Sequence, residues 1–113
     1  MPYINITTTK KVDAPTMEII KAELGKAITL IPTKTEGGLM IAFNESETYH
    51  GGTKVDCAFV SVKIFGTTTK EAFADFGSAA TAIISANTNT APNHIYMNFE
   101  EHKIWMSNGN MIG

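Results

Sequence analysis

The chain has 113 residues, 43% hydrophobic and 18% charged, a length and composition that suit one globular domain able to bury a real core. A formal charge of −2 offers a nucleic acid no basic field, and Lys10-Lys11 is too short a patch to supply one. A single cysteine, Cys57, excludes an internal disulfide framework and a cysteine-based zinc cluster, and His50, His94 and His102 lack ligand spacing, so no metal site is expected.

No apolar run is long enough to cross a bilayer, and the start lacks the charged-then-apolar layout of a signal peptide. These features predict a soluble, cytoplasmic protein with no membrane partner. One domain over residues 1–113 is expected, written as two pseudo-repeats, 1–54 and 55–113.

Pro2–Thr8 alternates Ile4 and Ile6 with Tyr3, Asn5 and Thr7 and reads as a strand. Over 14–31 the period changes: Met17, Ile20, Leu24, Ala27, Ile28 and Ile31 form one helical stripe. Asp13 and Pro15 suit its first turn and Pro32 its stop. Leu39–Asn44 is a second strand after the Gly37-Gly38 break.

Cys57–Phe65 is a strong third strand. One face carries Ala58, Val60, Val62 and Ile64, and the other Cys57, Phe59, Ser61, Lys63 and Phe65. Thr68 and Glu71 fit a capping box for a second helix with Phe73, Phe76, Ala80, Ile83 and Ile84 on its stripe. After the loop "NTNTAPN", His94–Phe99 is a fourth strand, and the tail reads as a short strand, a turn at 107–110 and a short apolar end.

Strand–helix–strand is thus written twice. Right-handed crossovers put both helices on one face of a four-stranded sheet, an α/β (α+β) fold. The opposite face is expected to expose much apolar surface, which predicts a closed homo-oligomer with the sheet faces turned inward.

The "MP" start allows Met1 to be trimmed, leaving Pro2 with a free secondary amine. An apolar surround and a nearby ammonium, from Lys34 or Lys63, would bring that amine toward neutrality as a general base. The plainer alternatives are a strand-starting proline and two solvated lysines. Tyr96 and Asn98 share a strand face and offer a hydroxyl and an amide, or else bond the local backbone. Trp105 with Met111 and Ile112 walls an apolar pocket or fills core. Glu100-Glu101 reads as solvated, and Cys57 as a buried thiol with no histidine placed to activate it.

The stretches "MPYINITTT", "YHGGTKVDCAFVSVKIFG" and "APNHIYMNFEEHKIWMSNGNMIG" together resemble the macrophage migration inhibitory factor family of the tautomerase superfamily. The resemblance spans nearly the whole chain. It implies a homotrimer of repeated βαβ subunits with the sheets inside, working without a cofactor on a small, phenylpyruvate-like α-keto acid. It assigns the catalytic base to Pro2 and the substrate carboxylate to Lys34, with the backbone of Phe65 beside it. Tyr96 and Asn98 would come from the adjacent subunit, and Trp105 and Ile112 fall on the family's pocket end.

The chain also departs from the family pattern. Ser107, Ile112 and Gly38 stand where aromatics are usual, which leaves a pocket poorer in rings. Cys57-Ala58-Phe59-Val60 lacks the second thiol of the Cys-x-x-Cys motif that some members carry. Were Met1 to stay, the Pro2 nitrogen would be an amide and no base. The leading expectation is keto–enol tautomerisation by Pro2; the alternative is a trimeric binding or signalling protein of the same fold with little or no catalysis.

Overall fold

Alternation alone sets the first strand. In a computed structural model describing residues 1–113, Pro2–Thr8 forms β1, with Pro2, Ile4, Ile6 and Thr8 buried and Tyr3, Asn5 and Thr7 turned the other way. Helix α1 spans Ala14–Ala27. Asp13 caps it by accepting the Thr16 N–H at 2.9 Å, and this hydrogen bond holds the Asp13 carboxyl below its ordinary pKa. The helix ends earlier than its stripe. Residues 28–30 tighten into a 3₁₀ turn, and Ile31 is extended (φ −92°, ψ 115°) because Pro32 excludes the helical region for the residue before it.

Strand β2 is Met40–Glu45 and β3 is Ala58–Phe65. Helix α2 spans Lys70–Thr88, and its cap lies one residue beyond the expected Thr68. Thr69 Oγ1 accepts the Ala72 N–H at 3.1 Å, while the Thr68 N–H is held by Glu101 Oε2 at 2.8 Å. A carboxylate distant in sequence thus takes the donor that local spacing had assigned to the cap. The helix also runs into the expected loop, closing at Asn89 in the left-handed region (φ 53°).

Strand β4, Ile95–His102, is longer than its alternation suggested, because it stays in parallel register with β3 as far as Phe65↔His102. The tail is a hairpin of β5 (Trp105–Ser107) and β6 (Asn110–Ile112). Asn108 (φ 52°) and Gly109 (φ 73°) make its two-residue turn, where both central positions need positive φ.

The sheet order is β2-β1-β3-β4. The β1–β2 and β3–β4 pairs are parallel and the central β1–β3 pair antiparallel, so the two βαβ units lie side by side. Both helices cover one face. Ile4, Ile6, Val60 and Val62 meet Ile20, Leu24, Phe76, Ala80 and Ile84 there, all essentially without exposure. Each such large side chain contributes about 1.5–3 kcal/mol of burial.

The open face differs from the apolar surface expected. Register aligns Asn5, Ser61 and Asn98 in one row and Tyr3, Lys63 and Glu100 in the next. Asn44 Nδ2 donates to Asn5 Oδ1 across the same face. Apolar groups remain at Met40, Phe59 and Tyr96, and on the tail at Ile104, Met106 and Met111. Strand pattern identifies the face, but only the register shows that polar side chains line up along its middle.

Candidate active site

Lys34 is placed by a strained turn. Lys34 N–H donates to Ile31 O at 3.1 Å across Pro32-Thr33, and Thr33 has a φ of 71°. A proline followed by a left-handed residue is the pattern of a type II turn. For a β-branched residue that conformation costs on the order of 1–3 kcal/mol. The turn brings Lys34 to the start of β1, where its Nζ donates to Phe65 O at 2.7 Å.

Pro2 lies at the same end, opposite Ile64 on β3, with its ring fully buried. Phe65 N–H donates to Met1 O at 3.2 Å. The Met1 α-amine has its pKa pushed down, first by burial and then by the charge and hydrogen bonding of Lys34. Lys63, the other proposed source of charge, points to the open face beside Tyr3 and Glu100. A side chain at Gly38 would begin 3.7 Å from Met1 Cα and 3.9 Å from the Pro2 ring, so a larger residue there would pack directly against the start of β1.

The tail packs against Phe65. Phe65 and Trp105 have ring centroids 6.4 Å apart, and Trp105 pairs with Ile112 across the hairpin. Ser107 is exposed at the hairpin's end. Pro2, Lys34, Phe65, Trp105 and Ile112 therefore gather at one end of the sheet. The widest surface concavity lies elsewhere, at the far end of β1, and is lined mainly by polar residues such as Glu45, Lys54 and Asp56.

Tyr96 and Asn98 are not brought to Pro2 within the chain. Pro2 is level with Ile64 and Glu101, five residues further along β4 than Tyr96. That is about 16 Å along the strand and about 10 Å across two strand spacings. Both side chains are exposed on the open face. Tyr96 Oη lies 2.9 Å from His50 Nε2, and His50 Nδ1 lies 2.7 Å from His94 Nδ1. Sequence spacing missed this cluster because its members are 44 and 46 residues apart. Cys57 is buried, and its thiol faces Thr48 O at 3.9 Å.

No protein-family model matches the chain, and no curated protein matches it by sequence. Solved structures do. Leishmania major MIF2 superposes with a TM-score of 0.93 at 19% identity, covering 99% of this chain and 97% of that one. A macrophage migration inhibitory factor homologue from Prochlorococcus marinus gives 0.87 at 21% identity, over 98% and 99%. Pt0534, solved after inactivation by 2-oxo-3-pentynoate, gives 0.84 at 12% identity, over 96% and 95%. The chain therefore has the fold of these macrophage migration inhibitory factor structures.

Proposed function

We propose that the protein is a cofactor-independent keto–enol tautomerase for a small α-keto acid, with Pro2 as general base once Met1 is removed. The observation that carries this reading is what Met1 occupies. Its carbonyl takes the Phe65 N–H and its amine lies beside Lys34. Removing Met1 frees one backbone donor and one ammonium next to the new Pro2 amine, and a substrate carboxylate suits both. Burial and Lys34 would press on the Pro2 amine as they do on the Met1 amine, keeping it unprotonated for proton abstraction.

The amine removes a proton from the carbon beside the keto group, and the keto oxygen gains one, giving the enol. The reverse path returns both protons. Lys34 and Phe65 N–H hold the carboxylate, and Trp105 and Ile112 flank the substrate's tail. Tyr96 and Asn98 serve a pocket of the next protomer in a homotrimer, a reading supported by their distance from Pro2 within the chain. Inactivation of Pt0534 by 2-oxo-3-pentynoate, itself a 2-oxo acid, supports this substrate class for the fold.

The test follows phenylpyruvate enol ketonisation by absorbance, alongside the intact mass of protein from its own host. Wild type lacking Met1 should turn over, and a form retaining Met1 should lose about 10²–10⁴-fold, the usual contribution of a general base. Equal rates would remove Pro2 from the chemistry. No turnover by either form would leave the binding or signalling reading, which the exposed Ile104, Met106 and Met111 on the tail favour as a contact surface.

A further inference from the structure

His50 sits on a short hairpin of its own. Its backbone exchanges hydrogen bonds with Thr53 at 2.9 and 3.1 Å, around Gly51 and Gly52, both at positive φ. His94 is fixed by the turn before β4, where its N–H donates to Ala91 O at 2.9 Å. The His50 ring stands edge-on to both neighbours, with centroids 4.9 Å from His94 and 4.8 Å from Tyr96. Both His50 nitrogens are engaged, one by His94 Nδ1 and one by the Tyr96 hydroxyl.

A neutral imidazole has one N–H and one lone pair, so this chain of three groups has a direction. In one direction Tyr96 O–H donates to His50 Nε2, and His50 Nδ1–H donates to His94 Nδ1. The Tyr96 oxygen then faces a ligand as an acceptor. In the other, His94 Nδ1–H donates to His50 Nδ1, His50 Nε2–H donates to Tyr96, and the Tyr96 O–H is free to donate. Each imidazole keeps one proton in both states; only the nitrogen that carries it changes.

We infer that His50, backed by His94, is the positioning residue that orients Tyr96 and sets whether its hydroxyl donates to or accepts from the substrate oxygen. This rests on the proposed reading, in which Tyr96 faces a neighbour's pocket. A keto oxygen only accepts a hydrogen bond, whereas an enol hydroxyl also donates one. A tyrosine whose polarity reverses with its histidine partners matches both forms of the substrate. Phenylalanine at position 50 keeps the edge-on ring and removes both nitrogens; glutamine keeps one donor and one acceptor.

The experiment has two arms on the full chain. In uniformly ¹⁵N-labelled protein, a coupling between the Nδ1 atoms of His50 and His94 across their hydrogen bond is expected, and its absence overturns the relay whatever the activity. In the kinetic arm, His50→Phe should lower kcat/KM for enol ketonisation by about five- to tenfold, the worth of one hydrogen bond. His50→Gln should recover most of that loss. Wild-type rates in His50→Phe, or equal losses in both variants, overturn the positioning role. An inactive wild type with the coupling present ends the tautomerase reading and leaves the relay standing.

Discussion

Replacing Lys34 by methionine removes the ammonium and keeps most of the stem. The Lys34 ammonium donates to Phe65 O at 2.7 Å from a half-buried position, so folding should lose no more than about 1 kcal/mol. Binding should suffer more. A hydrogen bond to a charged group is worth about 1.5–3 kcal/mol, which converts to roughly ten- to a hundredfold in KM for an α-keto acid at 1.4 kcal/mol per tenfold.

The pH dependence gives a second readout. The Met1 α-amine at this end of β1 has a lowered pKa, to which burial contributes most and the Lys34 charge next. Under the proposed reading the same two causes carry over to the Pro2 amine. Removing that positive charge favours the protonated amine and raises its pKa. The acid limb of kcat/KM, where the base becomes protonated and inactive, should therefore move to higher pH. The assay is initial-rate enol ketonisation across pH for wild type, Lys34→Met and Lys34→Arg, with Arg keeping the charge but changing its geometry. A Lys34→Met enzyme with the wild-type KM and an unmoved acid limb would refute both proposed roles of this residue.

The assembly is tested by native mass spectrometry and gel filtration. A trimer is expected, and a well-behaved monomer would leave Tyr96 and Asn98 unable to meet Pro2. At the second helix, Thr69→Ala should cost about 1 kcal/mol in urea unfolding, whereas Thr68→Ala should fall within about 0.5 kcal/mol of wild type. Equal losses at the two positions would contradict the cap geometry.

Periodicity along the chain was sufficient for the local elements and their faces. Alternation in 2–8 and 58–65 and the three- and four-residue steps in both helices reflect steric rules that act over a few residues. It was less reliable at element ends, where a distant partner decides: Glu101 holds the Thr68 N–H, and β3 carries β4 on to His102. Lys34 was legible as a loop lysine, but its direction depends on the Pro32-Thr33 turn.

The sequence by itself determined two βαβ units, a buried stripe on each helix and a proline at the head of a strand. Only the tertiary structure decided that β1 and β3 pair antiparallel, which sets Pro2 level with Glu101 and leaves Tyr96 at the other end of the sheet. It alone brought His50 to His94 and Tyr96. A pattern of period two fixes which face a strand buries and so excludes one-residue slips. It does not choose the partner strand or its direction, which depend on contacts dozens of residues apart.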